Sequence, residues 1–550
     1  MTQFLQGAQM SDSNQQGPAF DSRFILTVIL IGFVWMGWQS YLAKKYPAPK
    51  SKGPIVKESN QAAEPKQTAE QNKEQAAINT KTVKGAVVVP EKTLKFANAT
   101  WSFILSSKGM AIRDIRLNKY SNRQNKQIRF AHGPKFDLFS TGLIGQPKPL
   151  TFDVHQDGPD TFVGKAQVGA MSIRKQIIIN SNRYTFKTNI QVTNIDPSFK
   201  GLFTQIADKI PPAVSGFFAG RFDHEELFVN HSDKISRTIV KPDKYLNSSY
   251  NEALVTGYGS QYFAVAVLDQ SPVRPSLQFW TDPKKDGSEA EPKAVATLRY
   301  ERLNQNSQFN VSYTGFAGPK RYNLLKSIAP EMTGLINFGF FTMIAKWLFW
   351  LMMMIHGVVG NWGWVIIVLT LLVRLIAAPF SILSYKQMKA MARIQPQIKA
   401  LRERYKDDAK TMNQEMMKLM RENHANPVGG CLPMFLQIPI FFALYEVLGQ
   451  SIELYKAPFI FWIHDLSTKD PYYVLPILMG VAMWAQQKIT PSTMDPSQQK
   501  ILQFMPFIFM AMTVSLPSGL TLYIFVSSLF GFLQQYLFMR EKKQLSVAHA

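Results

Sequence analysis

The chain has 550 residues, enough for several domains, with 46% hydrophobic residues, a formal net charge of +23 and a single cysteine, Cys431. One cysteine excludes an intrachain disulfide. No zinc-finger spacing and no RNA-binding module accompanies the basic charge. Anionic phospholipid, membrane topology and acidic polypeptide therefore explain it better than specific nucleic acid binding.

Apolar residues crowd 24–43 and 335–539, and the stretch between them reads as a water-exposed fold. A helix needs about 20 apolar residues to cross a bilayer, and several segments meet or approach that length. Residues 1–23 form a polar N-terminal extension. Residues 24–43, FILTVILIGFVWMGWQSYLA, are too long for a signal peptide core and lack a small-residue cleavage site. They are expected to be an uncleaved transmembrane anchor. Residues 44–90, rich in Lys, Gln, Ala, Glu and Pro, read as a flexible linker.

From 91 to 325 short alternating runs such as SIRKQIII (172–179), YTFKTNIQV (184–192) and YFAVAVL (262–268) predict β-strands and a large sandwich. His224 and Glu225 adjoin, but no HExxH spacing follows, and Asp223-His224-Glu225-Glu226 is expected to be a solvated loop. There is no GxxxxGK or GxSxG either. The chain is expected to need no cofactor or metal, to have no catalytic residue and to be no enzyme.

Residues 330–359 contain an apolar helix carrying Lys346, His356 and two tryptophans, joined to the next apolar run by Gly360-Asn361. So short a hinge and the charge at Lys346 favour a helix lying in the membrane interface. Trp362–Phe380 is a better span. The segment Lys386–Glu422 after it holds ten Lys/Arg against five Asp/Glu, which places it in the cytoplasm. It reads as a helical hairpin (383–424), with Met388, Met391 and Ile394 on one side, a breaker at Pro396 and a turn at Lys406-Asp407-Asp408. Cys431–Gly449, Tyr473–Gln486, Ile501–Leu516 and Leu520–Met539 complete six spans. An even count puts both termini inside and the β region outside, and the basic-start tail 541–550 agrees.

Arg374 then lies about 6 residues from the inner end of its span, roughly 9 Å deep. Thr370 is one turn away on the same face. Gln437, Gln503 and Gln534 also fall in the inner halves of their spans, whereas the outer halves are largely apolar. Glu446 sits roughly 22 Å deep, too far along the bundle axis to pair directly with Arg374. The pattern predicts a water-containing recess open on one side, unlike the continuous polar lining of a pore.

Several stretches closely resemble the YidC branch of the Oxa/Alb/YidC insertase family. They are NWGWVIIVLTLLVR (361–374), LRERYKDD (401–408), NPVGGCLPMFLQIPIFFALY (426–445), APFIFWIHDLSTKDPYYVLPILMG (457–480) and MPFIFMAMTVSLPSGLTLYIFVS (505–527). The resemblance implies a bacterial inner-membrane protein: an α-helical polytopic bundle of six transmembrane helices, five forming the insertase core (361–540), plus a periplasmic β-super-sandwich. It implies a groove containing Arg374 with Thr370 beside it. The polar residues Gln437, Gln503, Gln534 and Tyr523 are expected to line the same recess, and Phe435, Phe441, Met505 and Phe509 of the third and fifth spans to form a hydrophobic slide. Implied partners are nascent membrane proteins, Sec translocon components and, through the hairpin and tail, the ribosome. Ile524 and Glu446 depart from the family, which often has aromatics there. A secondary transporter and a membrane-anchored glycan-binding module are the alternatives. The first lacks internal repeats, and the second leaves the polar-lined spans unexplained.

Overall fold

The computed structural model describes residues 90–133, 135–212, 224–232, 234–283, 291–302, 308–406, 408–425, 432–490 and 496–547. The expected anchor (24–43), the N-terminal extension and nearly all of the linker, together with Cys431, lie outside the described residues. The chain divides into two compact units. The larger comprises Val89–Ala390, Asn426–Pro491 and Gln503–Ala550, and the smaller includes Met391–Ala425 and Ser492–Leu502.

Within the larger unit, residues 93–319 form three antiparallel sheets of four, five and nine strands. Met171–Asn180 shows how the sequence selects this: alternate residues Met171, Ile173, Lys175, Ile177 and Ile179 are buried, and the ones between them are partly or fully exposed. That is the two-residue period of a strand with one covered face. At the centre of the nine-stranded sheet, Phe263–Asp269 pairs with Phe309–Pro319, which pairs with Thr185–Thr193. Phe263–Asp269 is buried throughout, so its apolar run does not alternate. Trp101 of the four-stranded sheet stacks on Phe186 of the nine-stranded sheet, with ring centroids 4.5 Å apart.

The third residue on the inner face of Met171–Asn180 is a lysine. Lys175 is fully buried, and its Nζ donates to the carbonyls of Gly109 (3.0 Å), Met110 (3.0 Å) and Phe139 (2.6 Å) and to Thr141 Oγ1 (3.0 Å). It ties the nine-stranded sheet to the connections between the other strands.

Of the expected solvated loop at 223–226, Asp223 lies outside the described residues, and Glu225 and Glu226 stand in a strand instead. Glu226 lies in strand Glu225–His231 and forms an ion pair with Arg237 of the edge strand at 2.8 Å. Arg237 also donates to the carbonyl of Gly334, and buried Lys320 donates to the carbonyl of Leu335 at 3.3 Å. The acid therefore anchors the segment leaving the β domain, which charge alternation alone did not reveal. Burial beside Arg237 moves the Lys320 pKa from 10.5 down to about 8, partly offset by Glu226. Between those pH values the unfolded chain binds more protons, so stability should rise with pH, by about 3 kcal/mol across the window. Thermal unfolding of the full chain between pH 7.5 and 10.5 tests this, with Lys320→Met expected to flatten the rise.

After α1 (Tyr322–Ile328) come α2 (Thr342–Val359), α3 (Trp362–Arg404), α4 (Ala409–Glu422), α5 (Leu432–Gln450), α6 (Val474–Ile489), α7 (Pro496–Thr513) and α8 (Ser518–Val547). Among the described residues α2, α3 and residues 518–538 of α8 are long and apolar enough to cross a membrane. The α2 helix has two faces. Ala345, Leu348, Met352 and Ile355 are buried, whereas Met343, Trp347, Trp350, Met354 and Val358 are exposed, as is Lys346.

Pro396 does not break the hairpin's first arm: α3 runs unbroken through it to Arg404. Proline removes one backbone donor, but Lys, Met, Ala and Gln on either side are good helix formers. The turn forms at Tyr405-Lys406, and Asp407 lies outside the described residues. Asp408 caps α4 by accepting from the backbone N–H groups of Lys410 and Thr411. Met391, Ile394 and Ile398 are buried along one stripe of α3.

Candidate functional site

The β domain bonds to the end of α5 and the segment that follows it. Tyr455 and Lys456, just beyond α5, donate to the Ser121 carbonyl (3.0 Å) and to Ser121 Oγ (2.8 Å) and Asn125 Oδ1 (2.9 Å). Gln261 donates to the carbonyl of Gly449 at the end of α5. Tyr455 also packs on Tyr262, with ring centroids 4.9 Å apart. At the other end, α6 and α8 lie close together, since a Cβ on Gly531 would meet Gln486 Nε2 at 3.0 Å. Gln535 of α8 donates to Thr490 at 2.9 Å in the same region.

Between these ends the helices bring Arg374, Gln437 and Tyr523 together. Gln437 on α5 donates to the Tyr523 hydroxyl on α8 at 3.1 Å. Ser527 follows Tyr523 by one helical turn on the same face of α8. Arg374 on α3 donates from Nε and Nη2 to Ser527 Oγ, at 2.8 and 2.5 Å. Hydrogen bonds thus join α5 to α8 at Tyr523 and α8 to α3 one turn further on, at Ser527. Three apolar helices are linked here by polar side chains, which tolerate such surroundings only when their hydrogen-bonding groups are met.

The other expected groove residues take different places. Thr370 is buried and donates to its own helix, to the Ile366 carbonyl at 2.6 Å, so it backs Arg374 without bonding to it. Gln503 is partly buried on α7 and is not joined to the chain. Gln534 Oε1 is buried with no hydrogen-bond partner among the described residues. Glu446 lies at the outer end of α5, beside Gly339.

Of the slide residues, Phe509 is exposed and Met505 partly buried. Phe441 packs toward Tyr523, with ring centroids 6.3 Å apart, and its neighbour Phe442 is exposed instead. The side chain of Phe435 lies outside the described residues. Sequence reasoning missed Ser527 and Tyr385, whose phenol lies within electrostatic reach of the guanidinium. The i, i+4 spacing of Tyr523 and Ser527 was the available signal for the first.

Two family models account for most of the described chain: the YidC periplasmic domain over residues 93–351 and the 60Kd inner membrane protein over 354–545. A membrane protein insertase YidC from Polynucleobacter asymbioticus is 32% identical over 477 residues, covering 81% of this chain and 84% of the relative. The chain belongs to the YidC family. Another relative, the membrane protein insertase YidC of Paraburkholderia phymatum, is 48% identical over 424 residues, covering 73% of this chain and 75% of its own length. A solved structure described as an active YidC insertase with its first transmembrane domain resolved covers 82% of this chain and 93% of its own, at 20% identity and a TM-score of 0.37. In this YidC-family chain the helical region and the β-sheet-rich domain correspond to the two family models.

Proposed function

We propose that this chain is a membrane protein insertase and chaperone that moves nascent membrane proteins from a cytoplasm-open groove into the lipid bilayer, alone or beside a Sec-type channel. The observation that carries this reading is the partly buried Arg374, held by a neutral serine within a polar path across three apolar helices. A hydrophilic segment entering beside Arg374 crosses less hydrocarbon, and its apolar neighbour partitions sideways into lipid. Apolar transfer drives the process, and the membrane potential helps where the translocated segment is acidic. The work is facilitation, without covalent chemistry or an ATPase of its own.

The arrangement supporting this reading has six transmembrane helices in the bacterial inner membrane, five of them forming the core at 361–540. Both termini are cytoplasmic, and the 91–325 domain is a periplasmic super-sandwich. Residues 330–359 form an interfacial helix, with Lys346 toward headgroups, and the exposed stripe from Met343 to Val358 supports that placement. The 383–424 hairpin and the basic-start tail are ribosome-facing, and anionic phospholipids surround the core. Groove contacts come from Arg374, Gln437, Tyr523, Gln503 and Gln534, backed by Thr370, and the slide from the apolar faces of α5 and α7.

Photocrosslinkers placed singly at 437, 503 and 534 should capture a stalled nascent membrane protein in native vesicles. Absence of a crosslink at all three positions would overturn the groove reading.

A further inference from the structure

Arg374 carries five N–H donors, and two of them converge on one hydroxyl oxygen, Ser527 Oγ. Ser527 is nearly buried, and its neighbour Tyr523 is 2% exposed. Among the described residues no carboxylate forms an ion pair with Arg374. The guanidinium is therefore oriented by a neutral partner while its positive charge stays uncompensated. That combination is costly in an apolar bundle, and it leaves the arginine ready to exchange partners. A carboxylate meets a guanidinium through two parallel charge-assisted bonds, about twice as strong as neutral ones.

We propose that Ser527 is the positioning residue that makes the groove selective for acidic polypeptide segments. Its hydroxyl aims Nε and Nη2 at one point, and that edge of the guanidinium is the one a carboxylate takes in bidentate fashion. An incoming Asp or Glu displaces the serine. The displaced hydroxyl stands one helical turn from Tyr523 on the same face of α8. Serine suits the task by size and neutrality. Alanine would leave the guanidinium unaimed, and aspartate would neutralise it permanently from within the bundle.

This inference rests on the groove reading above, and the test separates the two. Vesicles containing the full chain receive two substrates that differ only in the translocated tail, one with Asp residues and one with Asn at the same positions. The readout is the protease-protected fraction of each. Ser527→Asp is expected to lower acidic-tail insertion to the level of Arg374→Ala, with the loss about fivefold greater for the acidic tail than for the neutral one. Ser527→Thr, which keeps the hydroxyl, should recover the acidic-tail preference. Equal losses for both tails would mean a structural role only and would overturn the proposal, as would undiminished acidic-tail insertion by Ser527→Asp. If Arg374→Ala itself inserts both substrates as well as the unaltered chain, the groove reading fails along with it. If Arg374→Ala is impaired and Ser527→Asp is not, the Ser527 assignment alone fails.

Discussion

Arg374→Ala should cut insertion of a small two-span substrate with an acidic translocated tail by about tenfold or more, because a hydrogen bond to a charged group is worth roughly 1.5–3 kcal/mol. The effect exceeds that of an exposed ion pair because Arg374 is partly buried and fixed by Ser527, and Coulomb attraction grows as water is excluded. Arg374→Lys should retain more activity than Arg374→Ala because it keeps the charge, yet fall short of the unaltered protein because it loses the planar fork that bonds Ser527. Arg374→Glu should be the poorest of the three, repelling the same segment that arginine attracts. Protease protection in reconstituted vesicles measures all three. Equal protection for Arg374→Ala and the unaltered protein would remove Arg374 from the mechanism.

Lys175→Met should destabilise the β domain by about 1–3 kcal/mol, the cost of leaving buried acceptors without their donor. Methionine matches the lysine stem in length, so little cavity is opened. The loss comes from the oxygens left behind: the carbonyls of Gly109, Met110 and Phe139 and the hydroxyl of Thr141 all lose their shared donor. Burial pushes the Lys175 pKa well below the ordinary lysine value, and the four oxygens offset that cost in the folded state. Lys175→Ala should be worse, adding a cavity in the same core. Denaturant unfolding of the full chain in detergent, followed by near-ultraviolet circular dichroism, reports on the packing around fully buried Trp101. An unchanged midpoint for Lys175→Met would show that the cluster contributes nothing net.

Lys175 also marks a limit of reading strands from pattern alone. The run SIRKQIII follows the two-residue period, and its isoleucines at 173, 177 and 179 are buried as a strand requires. The period equally places residue 175 inward, where a lysine looks like a mistake until its four acceptors are known. Those acceptors lie 34 to 66 positions away in sequence, and no local rule joins them. Pro396 shows the reverse error. Its local signal was strong, yet α3 continues past it because the neighbouring residues favour helix. Glu226 likewise read as part of a polar loop, and only its pairing with Arg237 across adjacent strands reveals an anchor.

The sequence alone determined that Arg374 is a charge inside an apolar helix, that Glu446 lies too far along the bundle to neutralise it, and that the β region separates the apolar segments. These follow from composition, periodicity and rise per residue, which are local quantities. Only the tertiary structure decided what Arg374 bonds to. Ser527 is 153 positions away, and it meets Arg374 because α3 and α8 pack side by side. The same packing turned Thr370 onto its own helix and joined Gln437 to Tyr523 by a hydrogen bond. Side-chain polarity is written in the chain, but partnership depends on which helix faces meet, and that is settled by the packing of the whole bundle.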